Sequence, residues 1–303
     1  MVKREYTEKV IAEFLAYKER TVKQSTLRDY EIKTEKYFQI LLPEITSRIK
    51  KKTFYEIMDF FDEEDLEDKT ISDIILLLNQ FLAYCYEHNY IKELIKIQNI
   101  NVKEKKIIIF TRNERSKLKD FLINHLSYFN FAILLVLYSG IRLGELAALK
   151  ASDFNIEEGT IYINKSLKRI KNKDKKSKKK TLVIIDTPKS ASSYREIPLP
   201  DFIIELFKKM NYKDNAYIVT GIDKYIDMRT IQRRFKKLLF MLGLPKRKFH
   251  VLRHTYATYS LEDGMTIEAV AKLLGHANIK QAEKYVHLTI DYLRKNVDKI
   301  DES

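Results

Sequence analysis

The chain has 303 residues, 45% of them hydrophobic and 32% charged, with 56 Lys and Arg against 42 Asp and Glu for a formal net charge of +14. That is apolar material for packed cores and, at roughly 150 residues per domain, length enough for two of them, which excludes wholesale disorder. The basic excess points to a polyanionic partner, nucleic acid ahead of membrane. No run of about 18 apolar residues occurs, and the N-terminal MVKREYTEKV has no apolar signal-peptide region, so a cytoplasmic protein is expected. The single cysteine, Cys85, cannot form an internal disulfide, and no Cys/His cluster has zinc spacing.

All seven glycines lie at or beyond Gly140, and only Pro43 among the five prolines precedes it. With so few breakers, residues 1–100 are predicted to be mostly helix. Helical periodicity marks 7–19, 25–42 and 70–89, with Ser25 and Thr70 as N-caps, and a shorter helix over 53–61 completes a four-helix bundle. Periodicity lapses over 98–110 (QNINVKEKKIIIF), and 104–111 reads as a linker. Thr111 and Glu114 have the S/T-x-x-E spacing of a capping box, which opens a second domain over 112–303. There, helices are predicted at 112–123, 127–139 and 142–149, and strands at 160–168, 181–187 and 194–199. Helices resume at 201–210, 228–242, 250–261, 266–274 and 278–286. The fold class is mainly α with a small β-sheet, a helical bundle followed by an α+β domain.

Charge is divided unevenly, with a net −2 over residues 1–103 and +16 over 104–303. The acidic run Asp59–Asp68 reads as a solvated face turned away from any nucleic acid. Residues 165–180 (KSLKRIKNKDKKSKKK) hold ten basic residues and one acid between two predicted strands. A long basic hairpin lying along phosphates fits this better than a free loop, with Lys168, Arg169, Lys171, Lys173, Lys175 and Lys176 in contact and no base specificity implied. Arg229, Arg233 and Arg234, with Lys236 and Lys237, share a predicted helix that is either a phosphate contact or a solvated face.

Five segments carry chemically capable residues, each with an ordinary explanation when taken singly. Arg142 and Glu145 in SGIRLGEL are three apart, the spacing of a helical ion pair. Lys189 sits in a turn between strands (TPKSASSYREI). His250 and Arg253 share a helical face in HVLRHT. His276 follows Gly275 at a helix stop in LLGHAN, and Tyr285, nine residues on in EKYVHL, is one of 19 tyrosines. His254 lies about 100° round the helix from Arg253 and is expected to pack or cap rather than react.

In this order the segments resemble the tyrosine recombinase family of phage integrases and Xer-type recombinases, over most of the chain. The matching pieces are the R-x-x-E of Arg142 and Glu145, the inter-strand Lys189, the H-x-L-R-H from His250 to His254, the L-G-H ending at His276, and Tyr285. Ala282 departs from the threonine often found in relatives, and the 165–180 hairpin exceeds the minimal pattern. The resemblance implies a SAM-like helical core-binding domain over 1–103 and a catalytic domain with a C-terminal tail over 112–303. It implies Arg142, Lys189, His250, Arg253, His276 and Tyr285 as catalytic residues with Glu145 in support, and neither cofactor nor metal.

Phosphoryl-transfer chemistry accounts for these residue types. The transition state gathers negative charge on oxygens that already carry it, and arginine presents a planar fork of donors that lysine cannot match. His276 adds a donor, as in an oxyanion hole. A phenol of ordinary pKa about 10 needs a base and a cationic clamp, and His250 is the base candidate. By resemblance, Tyr285 forms a 3′-phosphotyrosine and Lys189 protonates the leaving 5′-oxygen. Glu145, being negative, serves by orienting Arg142 or His250.

The resemblance further implies double-stranded DNA with inverted-repeat core sites as partner, and a tetrameric synapse on DNA, with an accessory factor possible. The helical region begins within the first ten residues, so an arm-binding domain of sheet character is not expected. An amphipathic stretch at Ile290, Leu293 and Val297 is expected to dock on a neighbouring protomer or on its own domain. Integration or excision of a mobile element is the expected role. Xer-type dimer resolution, topoisomerase IB-like nicking and closing, and a catalytically silent DNA-binding protein are the alternatives.

Overall fold

The long helices expected of the breaker-poor N-terminal region are present in the structure, a computed structural model that describes residues 2–38, 59–61, 66–102, 107–172, 177, 181–186 and 194–286. The chain divides into two compact units, Met1–Lys105 and Lys106–Ser303. The first holds α1 (Val2–Glu19), α2 (Gln24–Lys33), a π-helical turn over Thr34–Phe38, and α3 (Asp68–Glu87). Ile71, Ile74, Ile75, Leu78 and Leu82 make the inward stripe of α3, where Phe81 meets Phe14 of α1 edge-on at 5.3 Å between ring centroids. Cys85 is fully buried in this core, and burial pushes its thiol up to about 12, leaving it unreactive.

Two sequence expectations need correction here. Ser25 and Thr70 are not N-caps: the helices start earlier, behind Lys23 and Glu67. At α3 the added first turn brings Asp68 to the positive end of the helix, where a carboxylate is favoured. The helix expected over 25–42 also leaves α geometry at Thr34, whose hydroxyl donates back to the carbonyls of Tyr30 and Glu31 (2.9 and 3.1 Å) at the point where the turn widens. Most of the predicted 53–61 helix lies outside the described residues, of which 59–61 are helical.

The second unit opens with α4 (Arg112–Asn124) behind the expected capping box, with Thr111 Oγ1 accepting from the Glu114 amide and Glu114 accepting from the Thr111 amide (3.2 and 2.9 Å). Its centre is α5 (Tyr128–Ser139), buried without break from Phe131 to Leu137. Then come α6 (Leu143–Ala148), β1 (Phe154–Asn155), β2 (Thr160–Ile163), β3 (Ser166–Lys171), β4 (Thr181–Asp186) and β5 (Arg195–Pro198). The rest is α7 (Asp201–Lys209), α8 (Met228–Met241), α9 (Val251–Glu262), α10 (Ile267–Leu274) and a short α11 (Lys280–Glu283), in place of the helix expected over 278–286.

The strand expected over 160–168 is two strands in two sheets. β2 pairs antiparallel with β1 and β5, whereas β3, among the described residues, pairs only with β4, from Ser166 opposite Asp186 to Lys171 opposite Thr181. The break falls at Asn164 and Lys165, and Lys165 is held there by Asp153 (2.7 Å). β3 then runs hard against α6, where a Cβ on Gly144 would lie 2.6 Å from Ser166 Oγ and 2.8 Å from the Leu167 carbonyl oxygen. Packing against two different partners, not β-propensity, divides the strand.

Candidate active site

Two helix ends frame the site. α5 and α10 each stop at a glycine with φ of +64°, Gly140 and Gly275, a conformation that costs a side-chain-bearing residue strain. Helix ends leave carbonyls without intrahelical donors, and arginines supply them here. Arg253, on α9 and 2% exposed, donates to the Gly140 carbonyl and to the Leu274 carbonyl, both at 2.8 Å. Arg142, the residue just before α6, donates through one guanidinium nitrogen to the Gly275 carbonyl (2.7 Å) and through the other to Glu145 (2.8 Å). The expected Arg142–Glu145 pair thus exists, but Arg142 has extended backbone and Glu145 also accepts from its amide at 2.8 Å.

Tyr285 lies just past α11, and 1% of it is exposed. Its hydroxyl is 3.1 Å from His254 Nδ1. The His276 ring lies nearly parallel to the tyrosine ring, 12° apart with centroids 6.2 Å distant, and its Nδ1 is buried without a hydrogen-bond partner among the described residues. The His250 ring stands edge-on to His254 at 4.5 Å and is exposed on its outer side. Five of the six expected catalytic residues, Arg142, His250, Arg253, His276 and Tyr285, therefore meet in one place. The sixth, Lys189, lies outside the described residues.

The electrostatics are those of a cationic, poorly hydrated cluster. Loss of hydration first, and then the charges of neighbours including Arg253 and Lys284, lower His250, His254 and His276 to about 4, so all three rings are neutral at pH 7. Burial raises the Tyr285 phenol, while Arg253 and Arg142 pull it back towards ionisation. Burial likewise brings Arg253 down to about 10, still protonated at neutral pH. The arrangement can hold an anion between fixed donors beside a phenol that already has a ring nitrogen within hydrogen-bond reach.

Comparison with known proteins identifies the framework. The model of the family described as Phage integrase family matches residues 113–291, more than half of the chain. The chain belongs to this family. It is a tyrosine recombinase, an enzyme of DNA strand exchange through a phosphotyrosine intermediate. Among its relatives, a tyrosine recombinase XerC-like protein of Caldanaerobacter subterraneus is 29% identical over 75% of this chain and 64% of that protein. Tyrosine recombinase XerA of Thermococcus onnurineus is 24% identical over 96% of this chain and 94% of its own length. In fold the chain is similar to the Tn1549 transposon integrase in complex with transposon right end DNA (TM-score 0.73, 21% identity, 96% of this chain and 99% of that one). It is also similar to a lambda integrase dimer bound to a COC′ core site (TM-score 0.63, 18% identity, 92% and 94%).

Two residues that sequence reasoning passed over belong to the same cluster. His254, expected to pack or cap, is the side chain that meets the Tyr285 hydroxyl. Arg195, on β5, is 7% exposed and binds both Glu145 oxygens, at 2.8 and 3.2 Å, together with the Leu273 carbonyl at 2.6 Å. Burial alone would raise the Glu145 carboxyl, but Arg195, by hydrogen bond and charge, with Arg142, holds it down at about 2. The signal for Arg195 was a lone arginine on the inward face of a strand, where a charge must find a partner.

The candidate DNA contacts fall in different settings. On the hairpin, Lys168 is paired with Asp186 (2.9 Å), and Arg169 with Asp227 and with Thr181 Oγ1. Lys171 ends β3, while Lys173, Lys175 and Lys176 lie outside the described residues. Arg229, Arg233 and Arg234 are exposed along α8, Arg234 lying over the Phe129 ring at 5.8 Å. Among the described residues no group of three or more His, Cys, Asp or Glu could hold a metal ion, and no helix is long and apolar enough to cross a membrane.

Proposed function

We propose that this recombinase cuts and rejoins double-stranded DNA at short inverted-repeat core sites, with Tyr285 as nucleophile, and that it integrates or excises a mobile element. The observation that carries the reading is the convergence of two arginines and three neutral histidines on one buried phenol. Tyr285 Oη attacks the phosphorus, a bond to the DNA 3′-phosphate forms, and the bond to the 5′-oxygen breaks. Arg142 and Arg253 face the non-bridging oxygens, with His276 as a further donor, and loss of one such donor typically costs roughly 2.7–4 kcal/mol of barrier. The phenol's proton passes to a ring nitrogen. His254 Nδ1 already lies 3.1 Å from this hydroxyl, which puts it ahead of His250, the base expected from sequence. A phosphate bound between the arginines offsets the positive charges that depress the histidines, and so favours that transfer. Lys189 is assigned the proton for the departing 5′-hydroxyl. The phosphotyrosine conserves the bond energy until a 5′-hydroxyl attacks in reverse, so the step needs neither nucleotide nor metal.

The long basic hairpin supports integration or excision over a housekeeping role. The Xer names of the chain's relatives favour the second reading, dimer resolution in the cytoplasm. In either case two protomers on each of two sites would form a synapse of four. The test is covalent capture: nicked fragments from the DNA flanking the gene are incubated without metal, and SDS-resistant adducts are sequenced. Adducts at one inverted repeat bordering a mobile element, absent in Tyr285→Phe and reduced about 100-fold in His254→Phe, are expected. Adducts at a chromosomal dimer-resolution site would select the second reading. Scattered adducts, or none despite DNA binding, would overturn site-specific recombination, and a larger loss in His250→Phe would return the base to His250.

A further inference from the structure

We propose that Arg195 is a positioning residue that sets both Arg142 and His276 in place, through Glu145 and the carbonyl end of α10. The inference rests on the reading of this cluster as a recombinase active site. Three arginines from three separate elements each hold one of three successive carbonyls: Arg195 holds Leu273, Arg253 holds Leu274 and Arg142 holds Gly275. His276 is the next residue. Its backbone is therefore fixed by the same donors that would clamp a phosphate. Arg142 and Arg253 must both hold the loop and face the substrate, whereas Arg195 is sealed in, with 4% of its side chain exposed, and among the described residues its hydrogen bonds go to Glu145 and the Leu273 carbonyl.

Arg195 also closes a circuit. It grips both oxygens of Glu145, and Glu145 in turn holds the amide and the guanidinium of Arg142. Displacing Arg195 would free Arg142 at one end and the 273–276 segment at the other. The packing leaves no slack, because a Cβ on Gly275 would come within 2.9 Å of Arg195 Nη1. Lysine has charge but no fork, and cannot reach both carboxylate oxygens and the Leu273 carbonyl together. A displacement of about 1 Å at a positioning group can cost roughly 100-fold in rate.

Arg195→Lys is the informative variant, read three ways in the full chain. Adduct formation on a nicked core-site fragment is expected to fall about 100-fold while DNA affinity stays within about twofold of wild type. In ¹⁵N-histidine spectra of the DNA-free protein, the His276 ring signals, assigned with His276→Gln, are expected to move while those of His125 do not. Combined with Arg142→Lys, the loss should be no larger than that of the worse single variant. A cleavage rate within threefold of wild type, unmoved His276 signals, or losses that add with Arg142→Lys would overturn the proposal. If Arg195→Lys does not fold, Glu145→Gln cuts the same link from its other end and is judged by the same readings. If wild type itself forms no adduct, the recombinase reading fails, and the His276 signals still decide the positioning role.

Discussion

Arginines occupy two contrasting settings in the catalytic unit. In the Arg142, Arg195 and Arg253 group, Arg195 and Arg253 are buried and Arg142 half-buried, and their guanidiniums are fixed by bonds to helix-end carbonyls and one carboxylate. On α8, Arg229, Arg233 and Arg234 lie in the open. Residue type is the same, but the work differs. A desolvated guanidinium with fixed hydrogen bonds is a preorganised dipole that needs no reorientation when charge develops, which is worth most in a poorly hydrated site. An exposed one moves freely, is screened by salt within about 8–10 Å, and can contribute affinity for any phosphate backbone but little to a transition state.

Substitution in each setting sharpens that contrast. Arg253→Gln should show the largest effect, a loss of about 100- to 1,000-fold in adduct formation. It should also lower the melting temperature, because the Gly140 and Leu274 carbonyls lose their donor. Rapid-quench kinetics and thermal melts check both, and an unchanged cleavage rate would remove Arg253 from the chemistry.

Acid titration should have a middling effect confined to the histidine cluster around Tyr285. His250, His254 and His276 sit at about 4 when folded and near 6.5 when unfolded. As pH falls from 6.5 towards 4 the unfolded chain takes up protons that the folded one refuses, so stability drops over that window. Glu145, held at about 2, acts in the same direction over a lower window. Its contribution is intact above about 4.3 and is lost only as pH falls from there towards 2. Melting temperature should therefore decline between pH 6.5 and 4.5, with a shallower slope in His254→Gln, and a flat profile would contradict the desolvation of the cluster.

Arg233→Gln should show the smallest effect. DNA binding is expected to weaken a few-fold regardless of sequence, and the slope of log affinity against log salt should shrink by about 0.9. An unchanged slope in equilibrium titrations would make α8 a plain solvated face.

Local rules carried the sequence reading well where a few neighbouring residues settle the outcome. The Thr111 capping box, the buried α5 and the strand at Arg195–Pro198 all follow from spacing and composition. Ser25 and Thr70 had cap chemistry, yet the helices began before them. Local rules also failed where a distant partner decides. A single β-branched run was divided between two sheets because its halves found different neighbours. His254 was discounted on helical angle alone, since nothing within its own helix shows that Tyr285, 31 residues later, arrives at Nδ1.

By itself, the sequence determined the helical character, the basic polarity of the second unit and the identity of the residues able to handle a phosphodiester. Those properties reside in side-chain chemistry and in periodicities a few residues long. Only the tertiary structure decided which of those residues share a site, that α5 and α10 end facing the same arginine, Arg253, and that Arg195 joins Glu145 across 50 positions. Contacts of that separation arise from the joint packing of several elements, and no local pattern encodes them. Burial then determines how strongly each contact acts.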